Sequence, residues 1–133
     1  MEFAGINYVA IVVAAAAGFM AGGVWYGVLG NAWAQAQGKT KEDFKPEPKP
    51  FIIAIISQLI MAYVLSGLIG HLGDVTISRG IISGLFVWAG FVATSLATNH
   101  AFQHAKLTLT LIDGGHWLVV LLIMGGVIGA FGV

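Results

Sequence analysis

Long apolar runs separated by short polar ones dominate the chain. A helix needs about 20 predominantly apolar residues to cross the hydrocarbon core of a bilayer. Four stretches meet that length between charged residues, at about 4–30, 51–70, 80–102 and 107–131. The pattern predicts an all-α fold, an integral membrane four-helix bundle forming one transmembrane domain over residues 1–133. The one long connection, 31–50, carries Lys39, Lys41, Glu42, Asp43, Lys45, Glu47 and Lys49. Its alternating Pro46, Pro48 and Pro50 predict an extended polyproline-like strut, with Pro50 opening the second helix. The first run lacks a basic leader and exceeds an ordinary signal-peptide core, so it reads as a retained span.

The short connections also predict a direction. With four crossings, the first and third connections share one side, which holds Lys39, Lys41, Lys45, Lys49 and Lys106, against Arg79 alone on the other. By the positive-inside rule the lysine side, including loop 31–50, is cytoplasmic and both termini lie on the outer side. The same bias predicts that any homo-oligomer is parallel.

Composition narrows the chemistry. The chain is 58% hydrophobic and 9% charged, with a mean hydropathy of +0.89, far from the roughly one-quarter charged residues of a soluble domain. Six Lys and Arg balance six Asp and Glu, so the basic footprint of a nucleic-acid binder is missing. The absence of cysteine excludes disulfides, thiolate nucleophiles, iron–sulfur clusters and Cys-ligated zinc. A Ser, a His and an Asp are present without a nucleophile setting such as Gly-x-Ser-x-Gly, so the expectation is a non-enzymatic protein.

Helices in lipid associate through close packing of small residues. The pairs Gly18 and Gly22, Gly23 and Gly27, Gly80 and Gly84, and Gly125 and Gly129 are each four residues apart and so share one helix face. All eight are expected to pack helices, within the chain or between copies.

Polar residues gather toward the lysine side. Tyr26 lies near that end of the first run, Gln58 about two turns into the second, Thr98, Asn99 and His100 near that end of the third, and Asp113, His116 and Trp117 in the fourth. At about 1.5 Å per residue these fall roughly 5–15 Å below the membrane boundary, which predicts one shared polar layer. In an uninterrupted helix Asp113, His116 and Trp117 share a face. The carboxyl would then accept hydrogen bonds from His116, Asn99 or Gln58 and hold or pass a proton, since intramembrane ionisable groups are usually paired and often functional. A second reading stays open. Residues 106–113 alternate with period two and Gly114 and Gly115 weaken a helix, so Asp113 would instead be an N-cap at the membrane surface. Structural glue for Gln58, an aromatic belt for Trp25, Tyr26 and Trp33, and packing for Trp88 and Trp117 are the plainer roles. No cofactor is expected. A tetrapyrrole would need His100 and His116 facing one iron, and one Asp with two His makes a thin metal site.

The segments Trp25-Tyr26-Gly27 through Trp33, Trp88-Ala-Gly-Phe91, Asn99-His100-Ala-Phe102, and Leu111-Ile-Asp113-Gly-Gly-His116-Trp117 with Met124-Gly125 carry a family resemblance. Over nearly its whole length the chain resembles the bacterial membrane-protein family called domain of unknown function seventeen sixty-one. The resemblance implies four membrane helices in a bacterial inner membrane and no known activity. Two functions are therefore expected. One is a helix-packing oligomeric module or accessory subunit of a membrane complex, in contact with bilayer lipid and binding lipid or another hydrophobic ligand. The other is a small proton- or cation-coupled transporter using Asp113 and His116.

Overall fold

The computed structural model describes residues 6–132. Four helices run through them: α1 (Tyr8–Ala36), α2 (Pro48–Leu72), α3 (Ile77–Phe102) and α4 (Leu107–Phe131), each long and apolar enough to cross a membrane. The expected start of the first span at Ala4 lies outside the described residues. Local chemistry sets the ends. Asn7 caps α1 by accepting from the Ala10 N–H at 3.1 Å, and Thr76 caps α3 by accepting from the Arg79 N–H at 3.1 Å, each satisfying an orphan donor. Past α1 the chain reverses through Gly38 at φ +71°, a left-handed conformation that glycine adopts without penalty.

The connection between α1 and α2 departs from the expected strut. Helix α1 continues beyond Gly30 to Ala36, because Asn31 to Ala36 holds no proline or glycine and is half alanine. A short 3₁₀ turn follows at Lys41–Asp43. Pro48 then opens α2 and Pro50 sits inside its first turn, where the missing N–H groups need no intrahelical partner. Thr40 and Asp43 close the turn: the Asp43 carboxylate accepts from the Thr40 N–H at 2.8 Å and from its hydroxyl at 3.1 Å. The Phe44 ring then packs on Trp33 with centroids 4.5 Å apart.

Helix α4 is the hub. Helices α1 and α3 each pack along it and, among the described residues, not on each other. The α3–α4 crossing is a backbone contact: a Cβ on Gly80 would collide with the Gly125 carbonyl, one on Gly125 with the Gly80 carbonyl, and one on Gly129 with the Thr76 carbonyl. At Gly84 it would stand 2.5 Å from the Leu121 oxygen. Gly18 and Gly22 on α1 work differently, since the atoms above them belong to the Gln58 and His116 side chains. Gly23 and Gly27 meet nothing within 4 Å and lie on an open face of α1. The apolar core between α1, α2 and α4 contains Ala14, Ala62, Leu65, Ile69, Val120, Met124 and Ile128. Helix α2 is held by its second half, whereas Phe51, Ile52, Ile53, Ile55 and Ile56 remain about half exposed.

Helix α3 is not regular. Residues Trp88–Val92 form a π-turn, which inserts one residue into the 3.6-residue repeat. Above it Gly80, Ser83, Gly84 and Val87 face inward; a regular helix would continue the stripe through 91, 95 and 98. The inward positions are instead Val92, Leu96 and His100, one residue later at the first two and two residues later at the third. Thr98 and Asn99 are turned outward, and His100 is turned in.

Two outcomes test this account. Gly125→Ala and Gly80→Ala should each lower stability by about 1–3 kcal/mol through overpacking, while Gly27→Ala should change it by less than about 0.5 kcal/mol, as read by thermal melting in detergent micelles. The Thr40 backbone and hydroxyl bonds hold the Asp43 carboxyl below its usual range, so the turn is favoured above the ordinary aspartate pKa and loosens as pH falls through the lowered value. Thr40→Val, which keeps the backbone bond, should move the Asp43 NMR titration part of the way up.

Candidate functional site

The site is built on the Asp113-Gly114-Gly115-His116 segment of α4. The helix begins at Leu107, after Lys106 at its N-cap, so Asp113 lies inside its second turn and is not a surface cap. Two tryptophans explain why paired glycines do not break the helix there. The Trp25 indole N–H donates to the Ile112 carbonyl at 2.9 Å and the Trp88 indole N–H to the Gly114 carbonyl at 2.8 Å. A carbonyl has two lone pairs, so these bonds add to the helical ones. The missing side chains provide the access: a Cβ on Gly115 would stand 2.7 Å from Cζ2 of Trp25. Each tertiary bond contributes about 1 kcal/mol, comparable to the roughly 1 kcal/mol that each helical glycine costs.

Between these two anchored carbonyls the Asp113 side chain projects from the helix. Its Oδ1 accepts from the Tyr26 hydroxyl at 2.6 Å, within the short range of bonds from a hydroxyl to a charged oxygen. Its Oδ2 lies 3.9 Å from His100 Nε2, with Asp113 and His100 side chains 20% and 11% exposed. The far side of that imidazole is fixed by Thr110, whose Oγ1 is 2.8 Å from Nδ1. A proton on Nδ1 leaves the Nε2 lone pair toward Asp113; a proton donated by Thr110 to Nδ1 leaves Nε2–H toward the carboxyl. The pair His100 and Asp113 thus exchanges roles according to where one proton sits.

His116 packs behind Tyr26, their ring centroids 4.9 Å apart, with Trp117 on another side at 4.5 Å. Its Nε2 lies over Gly22. Gln58, 3% exposed, places its Oε1 over Gly18 beside Val120 and Met124.

The expected single layer therefore divides. Tyr26 with Asp113 and His100 with Thr110 form two hydrogen-bonded pairs that face each other across 3.9 Å, and Gln58 and His116 lie along α1 beyond them. The expected donors to Asp113 from His116, Asn99 or Gln58 are replaced by Tyr26, with His100 across from it. Thr98 and Asn99 are exposed beyond the π-turn, and the Thr98 hydroxyl donates to the Thr94 carbonyl of its own helix at 2.9 Å. Trp25 and Trp88, read from sequence as belt and packing residues, are hydrogen-bond donors to the site's backbone. Thr110 was not anticipated, although it stands three residues before Asp113 and so on its face. Among the described residues no three His, Cys, Asp or Glu side chains converge on a point that would hold a metal ion. The two ring nitrogens of His100 face Thr110 and Asp113.

Tyr26→Phe should lower stability by about 1.5–3 kcal/mol, the range for a hydrogen bond to a charged group. Combined with Asp113→Asn it should be clearly less than additive, since the two side chains form one interaction. A double-mutant cycle of unfolding in mixed micelles measures the coupling; strict additivity would place the two groups apart.

Neither the curated proteins nor the solved structures contain a match to this chain. A family described as Protein of unknown function (DUF1761) matches residues 9–129, which takes in all four helices and every residue of the site. This four-helix membrane protein belongs to that family.

Proposed function

We propose that the chain is a non-enzymatic module of the bacterial inner membrane in which Asp113 takes up and releases a proton, or a small cation in its place, on the lysine-rich side. In this reading the lysine side faces the cytoplasm and both termini face outward. The observation that carries it is the carboxyl of Asp113 inside a membrane-crossing helix, bonded to Tyr26 at 2.6 Å with His100 at 3.9 Å. A group whose only task is gluing helices needs one partner. Here a carboxyl bonded to a phenol stands 3.9 Å from an imidazole bonded to a hydroxyl, each group able to donate and accept. Intramembrane ionisable groups so arranged commonly form proton relays. His100 lies in the last turn of α3, at the same end of the bundle as the lysines.

Proteoliposomes carrying a pH-sensitive dye test this. The intact protein should dissipate an imposed pH gradient faster than empty vesicles, Asp113→Asn should abolish the effect, and His100→Gln should slow it about tenfold or more, as for loss of a positioned acid–base group. Dissipation no faster than in empty vesicles, or undiminished in Asp113→Asn, refutes the reading.

A second function, a parallel oligomeric or accessory subunit that also binds a hydrophobic ligand, is supported by a different face. An apolar groove of about 520 Å³ opens beside Ala21, Val24, Trp25, Val28, Leu29 and Val119, next to the open glycines Gly23 and Gly27. Native mass spectrometry of the gently solubilised protein should find a defined oligomer, a partner or a retained lipid; a bare monomer counts against it.

A further inference from the structure

Two side-chain atoms among the described residues are buried without a hydrogen-bond partner in the protein: Oε1 of Gln58 and Nδ1 of His116. The residues are 3% and 7% exposed. Leaving such a group unpaired costs about 1–3 kcal/mol, and buried polar atoms in folded proteins nearly always have a partner in protein or ordered water. The two side chains are neighbours, although the His116 atom nearest α1 is Nε2 and not the orphaned Nδ1. Gln58 comes from α2 and His116 from α4, yet both end on α1, over Gly18 and Gly22, which are one helical turn, or about 6 Å, apart.

The glycines are what permits this. A Cβ at Gly18 would stand 2.7 Å from Gln58 Oε1, and one at Gly22 would stand 2.8 Å from His116 Nε2. The pair is therefore a seat for two polar side chains, where packing alone would be better served by a leucine at each position. The occupant at Gln58 Oε1 has to be small, because Val120 and Met124 crowd the seat at Gly18. It must donate to an amide oxygen there, and its counterpart at His116 must pair with an imidazole nitrogen. Water does both.

We propose that Gln58 and His116 form a water-binding site, the blind inner end of a polar path that enters at Asp113 and Tyr26. This rests on the proton-handling reading above. His116 touches the path through the Tyr26 ring at 4.9 Å. Beyond Gln58 the route stops: Ala14, Ala62, Leu65, Met124 and Ile128, each 3% exposed or less, close the core between α1, α2 and α4. Water reaches the site from the lysine-rich side alone.

Water-edited solid-state NMR on the full chain in lipid bilayers, with ¹⁵N-labelled His and Gln, reads the site directly. Water magnetisation is expected to reach His116 Nδ1 and the Gln58 side-chain amide at rates similar to those at His100. Gln58→Leu should slow the transfer to His116 several-fold and leave His100 unchanged. A dry His116 and Gln58 in the unsubstituted protein overturns the proposal without any variant, and so does a Gln58→Leu protein in which His116 is hydrated as before. The two readings fail separately. Hydration of Gln58 and His116 without proton flux in vesicles refutes the transport function and keeps the water site; flux with a dry pair does the reverse.

Discussion

The surface of α4 that lacks side chains is the constraint on which the rest of the structure depends. Inside a bilayer there is little hydrophobic force between helices, so association relies on how closely two backbones approach. Gly125 and Gly129 bring α3 against α4 until carbonyl faces Cα. One end of the same helix is opened by Gly115, where the Trp25 indole fills the gap, and the indole N–H groups of Trp25 and Trp88 bond to its carbonyls. One helix thereby organises its neighbours in two ways, by contact at one end and by hydrogen bonding at the other.

That arrangement makes the polar group around Asp113 sustainable. A carboxyl at this depth needs partners, since lipid chains supply none. Trp25 and Trp88 hold the helix backbone on either side of Asp113, so the carboxyl does not have to find its own position. Tyr26 and His100 then approach from different helices. An aromatic line continues outward from Tyr26 to Trp33 at 6.0 Å and from Trp33 to Phe44 at 4.5 Å. The connection between α1 and α2 is in this way packed onto the same framework as the site.

The bundle is uneven. Helix α2 contributes Gln58, Ala62, Leu65 and Ile69 to the interior, and its first ten residues contribute nothing buried. The half of the molecule away from the lysines is closed by alanine, leucine, valine, methionine and isoleucine. Of the buried polar residues described, Gln58, His100 and His116 stand with the Asp113 site and Ser83 alone lies in the other half, and this asymmetry is the basis for reading the site as open to one side.

Length and apolarity were enough to recover the four crossings, because a bilayer demands both and the charged residues fall between them. The glycine pairs were also visible in the linear order, as were the polar residues near one end. What each did was decided by tertiary contacts. Gly80, Gly84, Gly125 and Gly129 join backbones, Gly18 and Gly22 seat side chains, and Gly23 and Gly27 touch nothing, yet the spacing is the same in every pair. Likewise Asn99 and His100 are adjacent and both polar. Both stand beyond the irregular turn at Trp88–Val92, which shifts the inward stripe of the helix, and that turn coincides with the bond from Trp88 to a carbonyl on another helix. Sequence periodicity assumes a constant 3.6 residues per turn, so a local change of pitch accompanying a contact 26 residues away leaves no trace in it.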